Sequence, residues 1–129
     1  MSGTLSNDGG RIASNGQDLT LQAATIGNAD GKIEHAGTGV LNIAGGSYSG
    51  INGQVTTNGA LVVAMKGAVN QDGGATSAKQ ITVDAGSLSN RGGQIVQTGP
   101  AATRITVVGA ADNTSGTIAG NGNMNVAAG

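Results

Sequence analysis

The chain has 129 residues, among them 25 Gly, 1 Pro, 1 Tyr and no Cys, Trp or Phe, and its formal net charge is -1. One domain is the ceiling at this length, a disulfide framework or thiolate metal site is excluded, and the near-zero charge argues against a basic nucleic-acid footprint. No apolar stretch is long enough for a membrane-spanning helix.

Along the chain a unit of the form apolar-x-Asn-x-x-Gly-x-apolar recurs from Leu5 to Ile12, Ile26 to Ile33, Tyr48 to Val55, Ala68 to Ala75, Leu88 to Ile95 and Ala111 to Ile118. Its glycines are Gly10, Gly31, Gly53, Gly73, Gly93 and Gly116. Three residues before them stand Asn7, Asn28, Asn70, Asn90 and Asn113, with Gly50 in the third copy. Each copy continues with an apolar pair two residues apart: Leu19/Leu21, Leu41/Ile43, Leu61/Val63, Ile81/Val83, Ile105/Val107 and Met124/Val126. Residues two apart share one face of a strand, so the pairs point inward and Thr20, Asn42, Val62, Thr82, Thr106 and Asn125 point outward. An amphipathic helix needs apolar residues three and four apart.

A unit of this length cannot bury its own apolar side, but stacked copies can, each strand pairing with its equivalent one coil on. The predicted fold is therefore all-β: a parallel β-helix of about six coils of 20–23 residues, with units starting near residues 5, 26, 48, 68, 88 and 111. Residues 1–129 read as one segment. No helix or charged strand covers either end, and bare strand edges invite pairing. The expectation is a piece excised from a longer array, capable of end-to-end stacking. The Asn and Gly columns read as structural: Gly adopts positive φ freely and Asn substitutes for it, which suits tight corners, and stacked Asn side chains form amide ladders.

The stretches Leu5-Ser6-Asn7-Asp8-Gly9-Gly10-Arg11-Ile12, then Asp18-Leu19-Thr20-Leu21, and Leu88-Ser89-Asn90-Arg91-Gly92-Gly93-Gln94-Ile95 resemble the repeat of filamentous haemagglutinin-type exoproteins. The resemblance covers nearly the whole chain. It implies a right-handed β-helix, export through an outer-membrane transporter by two-partner secretion, and service as the shaft of a bacterial surface adhesin or a contact-dependent growth-inhibition effector. The repeats of that family are structural, so no catalytic residue carries over.

The residues themselves offer no catalytic constellation, no metal-ligand cluster and no cofactor motif. His35, beside Glu34, reads as part of a solvated loop. Asp30 and Asp72 occupy one repeat position two coils apart, with Asn52 between them. A β-helical carbohydrate-active enzyme or polysaccharide-binding module would need paired carboxylates of that kind, and this is the alternative function. The spacing from the unit's last apolar residue to the following pair runs 7, 8, 6, 6, 10 and 6 residues, so one corner absorbs the insertions. Insertions in solenoids map to loops on one face, often the binding face. The expected binding loops are thus Gln97, Thr98, Pro100 and Thr103, and Glu34 and His35. The expected partner is a host-cell or bacterial receptor or glycan.

Overall fold

A computed structural model describes Gly3–Ala128, and every regular element among these residues is a β-strand. The strands stack in parallel into two hydrogen-bonded sheets that wrap a single core in six coils. One face of the solenoid is the six-stranded sheet of Arg11–Ser14, Lys32–His35, Gln54–Thr57, Ala75–Ala78, Gln94–Gln97 and Thr117–Gly120. The other sheet supplies two faces. Its strands Leu19–Gly27 and Val40–Ser49 run unbroken through both, whereas later coils split into Ala60–Met65 with Ala68–Asn70, Gln80–Ala85 with Ser87–Ser89, and Thr103–Val107 followed by Ala111–Asp112.

Alternation along each strand sends one residue set inward. Leu41, Leu61 and Ile81 stack in one column, and Ile43, Val63, Val83 and Ile105 in the next, all buried. A third column, unmarked by the repeat unit, holds Ala23, Gly45, Met65, Ala85 and Val107. Ile26, Tyr48, Val69 and Leu88 line the second face, and Ile33, Val55, Thr76 and Ile95 the third. Many narrow columns explain how a chain with so few large apolar residues still builds a core.

The register corrects two coils. In coil 4 the partner of Tyr48 and Leu88 is Val69, and Ala68 is exposed. The whole unit therefore begins one residue later: Gln71 rather than Asn70 takes the inward corner position, Gly74 rather than Gly73 the glycine position, and buried Thr76 rather than Ala75 the apolar one. The spacing of Asn70 and Gly73 imitates the repeat one step out of phase. In coil 5, Val83 pairs with Ile105 and Ala85 with Val107, so Ile81 lies opposite Thr103. Thr103 and Ile105 are thus the first two inward residues of that coil, and Arg104, not Thr106, stands in the outward row with Thr82.

The glycine column also has a different cause from the expected one. Positive φ falls one residue earlier, at Gly9, Asp30, Asn52, Gly73, Gly92 and Ser115. The column glycines are needed because a side chain at Gly31, Gly53 or Gly116 would run into the carbonyl oxygen of Asn7, Asn28 or Asn90 in the preceding coil. Each coil rests its corner carbonyl on the bare Cα of the next.

Candidate functional site

Beneath that corner runs a ladder of amides, buried at Asn7, Asn28, Gln71 and Asn90 and exposed at Asn113. Asn7 Nδ2 donates to Asn28 Oδ1 at 2.7 Å, Gln71 Nε2 to Asn90 Oδ1 at 3.3 Å, and Asn90 Nδ2 to Asn113 Oδ1 at 2.7 Å. The same amides also donate to backbone carbonyls of the next coil, at Lys32, Gln94 and Thr117. Coil 3 has Gly50 here, and the Tyr48 hydroxyl replaces the missing amide by accepting from Asn28 Nδ2 at 3.4 Å. Burial lifts the Tyr48 phenol above its ordinary value of 10.0, and the Asn28 bond partly offsets this. Outside the same corner, Asp72 accepts from Ser89 Oγ and the Arg91 amide, and Asp112 accepts from Thr114 and Arg91. Hydrogen bonds from the Thr114 hydroxyl and amide, then from Arg91, hold the Asp112 carboxyl at about 2, below its usual 3.8. Asp30 sits at the positive-φ position and Asp72 one place earlier in the unit, so the register shift of coil 4 separates the two carboxylates that the enzyme alternative needs to align.

The opposite corner, between the six-stranded sheet and the Leu41-Leu61-Ile81 face, carries the variable loops. His35 is only 2% exposed, against the solvated loop expected from sequence. Its Nε2 lies 3.0 Å from the Gly16 carbonyl oxygen and its Nδ1 2.8 Å from Thr57 Oγ1, which itself accepts the Gly59 amide. The Gly16 carbonyl can only accept, so Nε2 donates to it. Glu34 points outward, half-buried, and pairs with Arg11 of the coil below at 2.8 Å. Gln97 and Thr103, expected in an exposed loop, are 1% and 0% exposed. Gln97 Oε1 accepts the Ile81 amide at 2.8 Å, and its Nε2 donates to the carbonyls of Gly99 and Ala101, so this side chain clamps the loop from inside. Only Thr98 and Pro100 of the four are exposed.

These loops frame a recess. Coil 4 turns this corner with Lys79 alone between its strands, while coil 2 bulges at Thr38 and coil 5 at Pro100 and Ala101. The resulting hollow of about 330 Å³ is lined by Thr38, Gly59, Ala60, Lys79, Gln80, Pro100 and Ala101. Its floor is small and its exposed Lys79 and Gln80 offer an ammonium and an amide, a set suited to holding a polar ligand with an anionic group. Neither Lys79 nor Gln80 stands out in the sequence. The signal for them is the short connection of coil 4, visible only after its register is corrected.

A family model described as haemagglutinin repeat matches residues 2–47, 36–107 and 98–129. Among curated proteins, the tRNA nuclease CdiA-2 of Burkholderia pseudomallei (strain 1026b) is 32% identical over 85 residues, which cover 60% of this chain and 3% of that protein. No solved structure matches.

Proposed function

Because the chain belongs to the haemagglutinin-repeat family, we propose that it is a shaft segment of a secreted bacterial surface protein, an adhesin or a contact-dependent growth-inhibition effector. On this reading it is exported through an outer-membrane transporter and holds distal binding or toxin domains away from the cell. The carrying observation is that the family match runs from residue 2 to 129, over the same stretch in which the polar side chains close the coils. Asn28, Asn90 and Gln71 are consumed in the ladder, and His35 and Gln97 in fixing loops. The similarity to CdiA-2 supports the growth-inhibition branch, and since the chain spans 3% of that protein, its nuclease activity calls for no catalytic residue in this segment.

A shaft is indifferent to the number of its coils but not to their phase. Removing Val69–Ser87 brings Leu88 into the place of Val69 and leaves a solenoid one coil shorter. Removing Val69–Ala78 joins two different faces. Within the full-length protein, export and the activity of the distal domain should survive the first deletion and be lost with the second. Equal loss from both would refute the shaft reading.

The recess favours one addition: this corner is where the segment touches a polar partner such as an acidic glycan. Lys79→Glu or Gln80→Ala, each at an exposed side chain, should weaken glycan retention while thermal unfolding stays nearly unchanged. Undiminished binding by both folded variants would move the contact elsewhere.

A further inference from the structure

Most of the cationic side chains are left free. Arg11 pairs with Glu34 and Arg91 with Asp112, whereas among the described residues Lys32, Lys66, Lys79 and Arg104 form no ion pair. Lys32 lies on the outside of the six-stranded sheet, and Lys66 follows the strand Ala60–Met65 at its end away from the variable corner. Lys79 and Arg104 stand together. Arg104 lies opposite Thr82 on the outward row of the next coil, and Gln80 is two residues before Thr82. Strand geometry therefore puts the Cα of Arg104 about 8 Å from that of Gln80 and roughly 11 Å from that of Lys79.

The backbone sets Lys79 against the same coil. Its amide donates to the Gly59 carbonyl of coil 3 at 3.0 Å, and its carbonyl accepts the Gly99 amide of coil 5 at 2.9 Å. A side chain at Gly99 would come within 2.8 Å of Lys79 Cγ. The bare Cα of Gly99 thus leaves room for the Lys79 stem beside coil 5, the coil that carries Arg104. Nothing bulky separates the two cations, since Gln80, Ala101 and Ala102 are exposed there and half-buried Thr82 lies beside Arg104. Beyond Arg104 the sign of the surface reverses: Asp84, opposite Thr106, is exposed two residues further along the face.

We propose that Arg104 is a second anchor of the recess, so that a linear acidic polysaccharide runs from Lys79 to Arg104 with an anionic group on every second sugar. This rests on the reading of the recess as a contact for a polar partner. The gap between the anchors matches an extended disaccharide. Neutral Gln80 and Thr82 lie between them, so the intervening sugar meets an amide and a hydroxyl, and a charge on it would find no counter-charge. Past Arg104, Asp84 repels a further anionic group. The small floor residues Gly59, Ala60 and Ala101 admit the flat of a sugar ring. A nucleic acid would find no stacking platform, because Tyr48 is buried and the chain has no Trp or Phe.

Hyaluronan fragments, with a carboxylate on alternate sugars, are the probe, and polygalacturonate fragments of equal length, charged on every sugar, are the comparison. Chemical-shift titration of the 129-residue chain gives the Kd. Lys79→Ala and Arg104→Ala should each raise the Kd of a hyaluronan hexasaccharide about threefold, the scale of an exposed ion pair. Lys66→Ala, at a free cation outside the site, should leave it unchanged. With a hyaluronan disaccharide, whose single carboxylate reaches only the recess, the effect of Arg104→Ala should vanish and that of Lys79→Ala persist. Polygalacturonate should bind no tighter despite its greater charge. A silent Arg104→Ala beside an effective Lys79→Ala would overturn the second anchor and leave the recess standing. Equal losses from all three variants, or tighter binding of polygalacturonate, would overturn it in favour of unspecific charge attraction. Hyaluronan that fails to bind, or binds regardless of Lys79→Ala, would overturn the proposal together with the reading of the recess.

Discussion

At the scale of single residues, the corner shows how a repeat tolerates exceptions. Tyr48 and Gly50 are one substitution made in two places: the Tyr48 ring fills the space of the absent ladder amide, and any side chain at residue 50 would collide with that ring. Gly50→Asn alone should therefore destabilise the chain by about 1–3 kcal/mol through overpacking. Tyr48→Leu alone leaves a cavity and costs Asn28 Nδ2 one of its two acceptors, the Gln54 carbonyl remaining. The double variant restores the usual Leu and Asn and should recover most of the loss, giving a coupling of at least about 1 kcal/mol in a denaturant-unfolding cycle. Additive effects would mean that the ring and the ladder are independent. The buried phenol adds a pH dependence. Because its pKa is raised in the folded state, its contribution is full below 10.0 and is lost as pH climbs beyond that value.

At the scale of the coil, register separates what was legible from what was not. Inward columns two residues apart were readable directly, because alternating apolar residues leave few other arrangements for Leu41/Ile43 or Leu61/Val63. Coil 4 was not, since its ladder residue is Gln71 and its core residue Thr76, while Asn70 and Gly73 supply a decoy of the same spacing. What decides between the phases is burial: Val69 covers more core than Ala68, and the longer Gln71 reaches both Asn90 and the Thr76 hydroxyl. Exposure at the variable corner is illegible for a related reason. Glu34, His35, Gln97 and Thr103 look polar and hence exposed, yet three of the four close the corner from within. Coil-to-coil bonding outside the opposite corner makes its own prediction. Asp112 has a depressed pKa, so its contribution is present above 3.8 and disappears as pH falls toward about 2. Carbon-detected titration should place its midpoint near 2 and shift the Thr114 amide in step. Thr114→Val removes the hydroxyl and should move the midpoint upward. A midpoint at the ordinary carboxylate value would show that the corner bonds are not kept in solution.

On the scale of the whole molecule, a solenoid is close to one-dimensional, each coil touching only its neighbours, so stability is graded along it and damage stays local. Leu41, Leu61 and Ile81 lie within 1% of full burial, while coil 6 ends on exposed Met124 and Val126. Amide exchange should accordingly be slowest in coils 3 to 5 and fastest in coil 6. Leu61→Asp buries an unpaired charge between two apolar neighbours, among the few changes that cost more than about 4 kcal/mol. Thr82→Asp places the same carboxylate on the outward row one coil away, where solvent reaches it, and should cost well under about 1 kcal/mol. In the Leu61 variant, protection should collapse around coils 2 to 4 and persist best near Ile105 and Val107, two coils away. A uniform loss of protection would mean that the six coils unfold as one cooperative unit.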